Sequence, residues 1–317
     1  MEMALLRRSG FHQSSIDVEG LKGRGWMKAL RVMFKLPLSF FQSVSIIKGF
    51  SPGIVVGVGG YSAGPVCLAA RMMKIPSAIH EQNSFPGLTN RLLCRVVDRV
   101  FISFEESRAH FPKGSLFLTG NPVREELLTG KEARRGGDKG FSILVMGGSQ
   151  GARAINDAFV AALEVLKERG RTAEVFHQTG ETDYEQVAEA YRQRKLEGEI
   201  TPFIQDMAGA YRRADIVVSR AGATTISELA ALGKPSILIP YPYAANRHQE
   251  TNAQMLVDEG GAEMMLQEAL SGESLAGSLM RYMDNREALE KMGMQAKTKG
   301  RGDATKTIVD QIMEMIK

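Results

Sequence analysis

Several features are scarce in this sequence, and each scarcity excludes a class of protein. The 317 residues include two cysteines, Cys67 and Cys94, whose separation does not match the spacing of metal ligands. We therefore expect buried thiols in a reducing cytoplasm. No apolar run reaches the roughly 18 residues that a membrane-spanning helix needs. Arg7 and Arg8 are not followed by the apolar segment of a signal peptide, so none is expected.

The sequence also lacks a large excess of charge of either sign. The formal net charge is +4, and no signature of a nucleic-acid-binding protein is present. The chain is 44% hydrophobic and 24% charged, which is ordinary for a soluble globular protein. Its length favours two domains over a single core.

The most informative stretch is FSILVMGGSQGARAIND, residues 141–157. It predicts a buried strand, a glycine-rich turn and the start of a helix. Gly147, Gly148 and Gly151 allow a tight turn and close approach of a ligand to the backbone. The helix directs its free N–H groups and positive dipole end at the turn, which is typical of a phosphate site. Ser149 can add a hydroxyl donor.

The same letters, GGSQG, also match the G-x-S-x-G elbow of hydrolases. A hydrolase would need an acid and then a histidine after Ser149. His177 ends the next predicted strand, and His248 lies among amide side chains without an obvious acid partner. No oxyanion loop of the His-Gly-Gly kind precedes the serine, so the phosphate interpretation is favoured.

Strands alternate with helices along the whole chain, which predicts parallel sheets with right-handed crossovers. The predicted strands are residues 54–58, 78–80, 100–103, 116–118, 142–146, 174–177, 200–203, 216–219, 236–239 and 263–266. Residues 131–139, KEARRGGDK, form the best linker. We therefore predict two doubly wound domains that face each other across a cleft. A last helix, residues 304–316, should dock on the body.

The beginning of the chain is unusual for an α/β domain. Residues 1–8 look like the middle of a helix, and residues 11–18 look like the strand that follows it. We therefore expect that some N-terminal sequence precedes Met1.

Residues 23–50 form an apolar and basic stretch. Trp26, Phe34 and Phe40 belong to sets of apolar residues at helical spacing, and Pro37 should break or kink the helix. One interpretation is a helix that faces the core with a solvated basic side. The other is a surface that touches anionic lipid.

Two polar loops follow strands in the first half. GVGGYSAGP, residues 57–65, predicts a second anion site before a helix over residues 66–73. HEQN, residues 80–83, lies at a strand's carboxyl end, where ligands bind in open α/β sheets. Asn83 is interpreted either as a ligand contact or as a helix cap.

Two further loops in the second half carry polar side chains. In RAGATTISE, residues 220–228, Glu228 is interpreted either as a partner of both ribose hydroxyls or as a capping box with Thr225. In YPYAANRHQETN, residues 241–252, the amides and imidazole suit sugar hydroxyls. The alternative there is a solvated loop in which Asn246 caps the helix.

Together these motifs resemble the bacterial MurG family. The resemblance rests on GVGGYSAGP, IHEQNSFPGLTNR, GNPVR, GGSQGARAIN, HQTG, FIQDMAGAYRRADIVVSRAGATTISELAALGKPSILIP and NRHQETNA, and covers nearly the whole chain. It implies a GT-B fold and transfer of GlcNAc from UDP-GlcNAc to lipid I, giving lipid II, with inversion and without a metal or cofactor.

The resemblance also implies partners and a location. The partners are UDP-GlcNAc, lipid I and an anionic membrane surface, with no nucleic acid. The location is the cytoplasmic side of the inner membrane, where the protein would be peripheral. There it would serve peptidoglycan synthesis, and hence cell shape and division, with contacts to the cell-wall synthesis machinery.

Site residues carry over by position in the matching motifs. Those similar to UDP-GlcNAc contacts are Asn83, Arg124, Ser149, Ile204, Ala223, Thr224, Thr225, Ile226, Ser227, Glu228 and Gln249. Those similar to the loop that faces the acceptor's diphosphate are Gly59, Gly60, Tyr61 and Ser62. The implied division is an incomplete acceptor domain at residues 1–125, a UDP-GlcNAc-binding domain at residues 140–300 and a C-terminal helix at residues 301–317.

One departure from the family pattern affects catalysis. The family opens with a strand and a GGTGGH loop whose histidine is a candidate general base, and this sequence has no such loop. The catalytic residue is therefore unassigned here. The alternatives are a catalytically impaired UDP-sugar-binding remnant or another GT-B enzyme such as a UDP-GlcNAc 2-epimerase. GVGGYSAGP and the basic apolar stretch argue against the epimerase.

Overall fold

A computed structural model describes residues 10–18, 26–112, 114–129, 140–148 and 151–316, with the backbone alone described for residues 26–35. The chain divides into two compact units, residues 1–119 with 306–317, and residues 120–305. The predicted helix at residues 1–8, the linker at residues 131–139 and Ser149 lie outside the described residues.

The first unit contains a parallel sheet whose described strands follow the order β1-β2-β3-β4. Its elements are helix α1 (Trp26–Phe50), strand β1 (Val55–Gly57), helix α2 (Gly60–Met72), strand β2 (Ser77–Glu81), helix α3 (Leu88–Leu93), strand β3 (Arg99–Ile102), a 3-10 helix (Glu105–His110) and strand β4 (Leu116–Leu118). Residues 11–18 form no strand, so that prediction is wrong.

Helix α1 is continuous through Pro37, so of the predicted break or kink the break does not occur. Ser39 and Ser43 are buried, and each hydroxyl donates to a backbone carbonyl one turn earlier, that of Leu36 at 2.9 Å and that of Ser39 at 2.7 Å. Ile47 is buried in the core of the unit. The described half of α1 therefore has a core-facing side.

The last helix packs on the first unit's sheet. In helix α12 (Ala304–Ile316), Ile308 lies in a cluster with Ala78 and Phe101. Arg99 fixes this position, because its guanidinium donates to the carbonyl and the side-chain oxygen of Gln311 at 2.8 and 2.7 Å. The sequence had left open where this helix docks.

The second unit begins with helix α4 (Glu125–Leu128) and continues with a longer series of strands and helices. These are strand β5 (Phe141–Met146), helix α5 (Arg153–Glu168), strand β6 (Ala173–Gln178), helix α6 (Tyr184–Arg194), strand β7 (Glu199–Thr201), helix α7 (Met207–Arg213), strand β8 (Ile216–Ser219), helix α8 (Ala223–Leu232), strand β9 (Ser236–Leu238), helix α9 (His248–Val257), strand β10 (Glu263–Met264), helix α10 (Gly272–Asp284) and helix α11 (Arg286–Thr298). Short 3-10 turns precede α9 and α10.

Strand β5 lies at the centre of the second sheet. The described strands follow the order β10-β9-β8-β5-β6-β7, and every pair is parallel. All of β5 is buried, as are β8 and β9, which explains why they read as continuous apolar runs. The prediction of two parallel α/β units is confirmed.

Candidate functional site

The second sheet changes winding direction at β5. From this strand the chain moves outward through β6 and β7, and then returns to the other side of β5 with β8, β9 and β10. The carboxyl ends of β5 and β8 are therefore neighbours, with Met146 opposite Ser219. Ligands of open α/β sheets bind outside such a switch point.

The glycine turn after β5 has the tight geometry that the sequence predicted. Gly148 and Gly151 have φ values of +86° and +79°, in the left-handed region that favours glycine. A Cβ on Gly147 would collide with the backbone nitrogen of Ala152, and one on Gly151 would collide with the Thr179 carbonyl oxygen. The turn delivers the chain into α5, whose N-terminus follows at once.

Residues at the end of strand β6 form hydrogen bonds that hold this turn in place. The Gln178 side chain donates from Nε2 to the Gly148 carbonyl at 3.0 Å and accepts the Ile204 N–H at Oε1 at 3.1 Å. Asn156 in α5 donates to the Thr179 carbonyl at 3.0 Å. HQTG is one of the family motifs, but the sequence alone gives Gln178 no role.

Helix α8 begins directly beyond the end of β8. Its N-cap is Gly222, which supplies no side-chain cap. Thr224 is exposed and Thr225 is half-buried, whereas Ile226 is fully buried in the core. The N-terminus of α8 therefore presents backbone N–H groups and hydroxyls at the switch point, held by an apolar anchor.

Glu228 lies in α8 with its carboxylate buried, at 6% exposure. Its Oε2 accepts from the Tyr211 hydroxyl at 3.0 Å, and its Oε1 accepts from Arg124 Nη2 at 3.3 Å. Burial raises the pKa of Glu228, while the Tyr211 hydrogen bond and the Arg124 charge act in the opposite direction. The capping-box interpretation with Thr225 is wrong, because Gly222 is the N-cap and the carboxylate is bonded elsewhere.

Arg124 is half-exposed and comes from the segment just before α4. Its guanidinium also reaches Glu126 at 3.3 Å. Asn121 ties the segment to α8, donating to Ser227 Oγ at 3.1 Å and to the Ala223 carbonyl at 3.4 Å. The motif GNPVR thus belongs to the second unit, whereas the sequence assigned it to the first.

The loop after β9 carries Gln249, whose Oε1 accepts the Tyr241 N–H at 2.9 Å. Asn246 and Arg247 both have positive φ, at 54° and 53°. The N-cap of α9 is Arg247, so the prediction that Asn246 caps this helix is wrong. Asn252 donates to the Ala221 carbonyl at 3.3 Å, which connects α9 to the start of α8.

Arg220 holds the first part of this loop. Its guanidinium donates to the Ile239 and Pro240 carbonyls at 3.1 and 3.2 Å and to Gln267 Oε1 at 2.7 Å. It also lies 5.4 Å from the centre of the Tyr241 ring. Burial lowers the pKa of Arg220. The three acceptors provide hydrogen bonds to the buried guanidinium.

Within the first unit, the glycine loop after β1 is shorter than predicted. Gly59 is the N-cap of α2 with φ +88°, and the helix begins at Gly60 rather than near residue 66. Tyr61 and Ser62 therefore lie in the first helical turn, and both are exposed. Pro65 lies inside this helix, where it removes one backbone hydrogen-bond donor.

A buried carboxylate organises the HEQN segment of the first unit. Glu81 Oε1 accepts from the Asn83 backbone N–H at 3.0 Å and from its side-chain amide at 3.3 Å. Glu81 Oε2 accepts from the Gly87 N–H at 3.1 Å and the Asn90 amide at 2.8 Å. The N-cap of α3 is Gly87, so the prediction that Asn83 caps a helix is wrong.

Comparison with known proteins identifies the family. Residues 142–308 match the model of the glycosyltransferase family 28 C-terminal domain, and residues 1–102 match that of its N-terminal domain. A protein of Syntrophus aciditrophicus (strain SB) is 45% identical over 100% of this chain and 88% of its own length. Its name is UDP-N-acetylglucosamine--N-acetylmuramyl-(pentapeptide) pyrophosphoryl-undecaprenol N-acetylglucosamine transferase. The chain belongs to the MurG family of glycosyltransferases.

Solved structures agree with this assignment. The crystal structure of Acinetobacter baumannii MurG is 34% identical, with a TM-score of 0.80, over 99% of this chain and 88% of that one. The predicted GT-B fold is thereby confirmed. A UDP-N-acetylglucosamine 2-epimerase from Listeria monocytogenes has a TM-score of 0.66 over 95% of this chain and 82% of its own, but 16% identity, so this likeness concerns the fold alone.

His177, which the hydrolase interpretation had considered as a base, is a structural residue in this MurG-family chain. It is fully buried, and burial lowers its pKa to about 3, so the ring is neutral. Asn156 Nδ2 donates to Thr179 and Asp183, so its Oδ1 accepts from Nε2 of His177 at 3.1 Å. Nδ1 then accepts from the Tyr191 hydroxyl at 3.1 Å.

Two further expectations concern metals and thiols. Among the residues whose placement is described, no group of three or more His, Cys, Asp or Glu side chains is arranged to hold a metal ion. Cys67 and Cys94 are free thiols; Cys67 is buried and burial raises its pKa to about 11, while Cys94 is only half-buried.

Proposed function

We propose that this chain transfers GlcNAc from UDP-GlcNAc to lipid I, giving lipid II with inversion at the anomeric carbon. Membership of the MurG family is the observation that carries this proposal, because the similarity to its named relatives runs along the whole chain. The donor occupies the switch point of the second sheet. The acceptor is handled by the first unit.

The donor diphosphate lies at the glycine turn after β5. Backbone N–H groups at the N-terminus of α5 and the hydroxyl of Ser149 donate to its oxygens. Arg124 adds positive charge, since its half-exposed guanidinium has more donors than its two carboxylate contacts use. This arrangement stabilises the negative charge that develops on the leaving UDP, which would allow transfer without a metal.

The nucleoside binds between α8 and the loop that contains Ile204. Each oxygen of a carboxylate has two lone pairs, so Glu228 can accept both ribose hydroxyls while it keeps its bonds to Tyr211 and Arg124. The Ile204 N–H is donated to Gln178, which leaves the Ile204 carbonyl to accept the uracil N–H. Residues 223–227 border the nucleotide at the start of α8.

The transferred sugar lies near the loop after β9, and Asn83 of the first unit is assigned as a donor contact through its family motif. The Gln249 amide nitrogen can donate to a sugar hydroxyl, because its oxygen is occupied by Tyr241. Asn83 is held by Glu81, whose Oε1 accepts from its backbone N–H and its side-chain amide. We assign no catalytic base among the residues of this chain.

The acceptor diphosphate lies at the N-terminus of α2. Gly59 and Gly60 have φ of +88° and +76°, so backbone N–H groups are available there without side-chain obstruction. The exposed Tyr61 and Ser62 add hydroxyls in the first turn.

Helix α1 contacts the cytoplasmic face of the inner membrane. Leu38, Phe41 and Phe50 are 51%, 67% and 69% exposed although the opposite side of the helix is buried in the core. Apolar side chains beside the exposed Lys48 suit an anionic lipid surface. No helix within the described ranges is long and apolar enough to cross a membrane, and we propose a peripheral association that also permits contacts with the cell-wall synthesis machinery.

Release of UDP from UDP-GlcNAc, measured with and without a lipid I analogue, tests this function. We expect release that depends on the analogue and yields a disaccharide-bearing lipid. Release without acceptor, accompanied by free ManNAc, would instead identify an epimerase. UDP binding without any transfer would support the impaired binding protein.

A further inference from the structure

The side-chain amide of Gln178 links two loops that strands β5 and β7 carry. These strands are not adjacent, because β6 lies between them, and Gln178 is the last residue of β6. Its Nε2 donates to the Gly148 carbonyl at 3.0 Å, and its Oε1 accepts the Ile204 N–H at 3.1 Å. Gln178 itself is 4% exposed, so its side-chain amide is buried at the end of the strand.

The orientation of this amide is determined by its two partners. A carbonyl can only accept and an N–H can only donate. If the Gln178 amide were rotated by 180°, its oxygen would face the Gly148 carbonyl and its nitrogen would face the Ile204 N–H, and neither hydrogen bond could form. The Gly148 carbonyl also accepts the Gly151 N–H at 3.0 Å. Both lone pairs of this oxygen are therefore used inside the protein.

The direction of the Gly148 carbonyl matters for an anion. A carbonyl oxygen carries partial negative charge and would repel a diphosphate if the peptide turned outward. Among the described residues, no atom lies within 4 Å of the place where a Cβ of Gly148 would be, and its φ is +86°, so these residues do not fix the peptide by steric contact. The bond from Gln178, together with that from the Gly151 N–H, supplies the restraint that glycine lacks.

We propose that Gln178 is a positioning residue for the donor nucleotide. It acts through Gly148 on the diphosphate turn and through Ile204 on the loop that receives the base, so one amide sets the separation of the two subsites. This proposal rests on the donor site proposed above.

The test is the dissociation constant of UDP for Gln178→Glu and Gln178→Met, measured by calorimetry at about pH 5.5 and about pH 8. A protonated glutamic acid can donate to the Gly148 carbonyl, whereas an ionised one cannot, and burial next to a carbonyl raises the pKa of such an acid. For Gln178→Glu relative to wild type we expect binding about tenfold weaker at the higher pH and within about twofold at the lower. Gln178→Met, which fills the space without hydrogen bonds, should be about tenfold weaker at both.

Gln193→Glu is the matched control, since Gln193 is exposed on α6 and bonds only to a neighbouring residue of that helix in the contacts described. It should bind UDP like wild type at both pH values. Recovery of Gln178→Glu at low pH also shows that this variant is folded. The role of Gln178 would be overturned if Gln178→Met bound UDP as tightly as wild type. It would also be overturned if the affinity of Gln178→Glu relative to wild type were the same at both pH values. Wild-type protein that binds no UDP would overturn the donor site itself and this role with it.

Discussion

At the scale of single residues, the pairing of Arg124 with Glu228 gives the first prediction. Arg124→Ala removes a cation from the diphosphate and Glu228→Ala removes the acceptor of the ribose hydroxyls. Each should weaken UDP-GlcNAc binding by about tenfold or more, because charged hydrogen bonds are the stronger ones. Isothermal titration calorimetry measures this directly.

Arg192→Ala is the control for this pair, since Arg192 is an exposed arginine that also bonds to a glutamate, Glu189, but lies on α6. It should bind the donor like wild type. Unchanged affinity of Glu228→Ala would show that Glu228 supports only the packing of Tyr211 and Arg124.

His177 gives a pH prediction. Its pKa in the folded chain is about 3, below the ordinary value of 6.5, so between these values the unfolded chain binds more protons. The free energy of unfolding should therefore rise with pH, by about 2 kcal/mol from about pH 5 to pH 8 for this residue. Urea unfolding of wild type and His177→Gln across this range measures it. Equal slopes for the two proteins would contradict a buried neutral ring.

Single-residue partnerships were the part of the site that sequence could not predict. Glu228 and Arg124 were found through their motifs. Their contact with each other was not predictable, because the two residues lie far apart in the chain. The hydrogen bond from Tyr211 to Glu228 was not predictable either. Gln178 and Asn121 were missed as site residues for the same reason. Their motifs mark them, but only packing shows which backbone groups they hold.

At the scale of elements, the glycine turn offers a matched pair of substitutions. Gly151→Ala would bring a Cβ into collision with the Thr179 carbonyl oxygen, and it would also force alanine into the left-handed conformation of residue 151. The two effects together should destabilise the fold by roughly 3 kcal/mol or more. Gly148→Ala meets no atom of the described residues within 4 Å and should cost only the left-handed strain, about 1 to 2 kcal/mol. Thermal unfolding measures both. Equal losses would mean that the contact with Thr179 is not tight.

Helix α1 gives the prediction about the membrane. Leu38→Ser combined with Phe41→Ser removes exposed apolar area without touching the buried Ile47, so binding to phosphatidylethanolamine and phosphatidylglycerol vesicles should fall about tenfold. Met294→Ser, at a 65% exposed apolar residue on α11, should leave binding unchanged. Flotation with vesicles separates these outcomes, and equal binding by all three proteins would contradict a lipid-facing α1.

Many elements were predictable because their apolar residues either repeat with a helical period or form one continuous buried run. Strand β5 is buried throughout, and its prediction at residues 142–146 differs from Phe141–Met146 by one residue. The failures have local causes. Helix α2 begins at Gly60 because glycines can enter a helix at its N-terminus, and α1 runs through Pro37 because tertiary packing outweighs one lost hydrogen bond.

At the scale of the whole molecule, the alternation of strands and helices was enough to predict two parallel α/β units and, through the family motifs, a GT-B fold. The boundary of the units was not predictable to the residue. It falls after Thr119, so that Gly120 packs against Arg301 and the GNPVR segment joins the second unit. The amino-acid composition identifies a polar segment, but only the contacts in the folded chain show to which unit the residues after a strand belong.

The most direct test of the central claim is the product formed from UDP-GlcNAc and a lipid I analogue, analysed by mass spectrometry and by proton NMR of the new anomeric centre. The proposed function predicts an acceptor that gains one N-acetylhexosamine in β linkage, and loss of this product in Arg124→Ala. An α linkage, or an acceptor recovered unchanged while wild-type protein binds UDP, would contradict it.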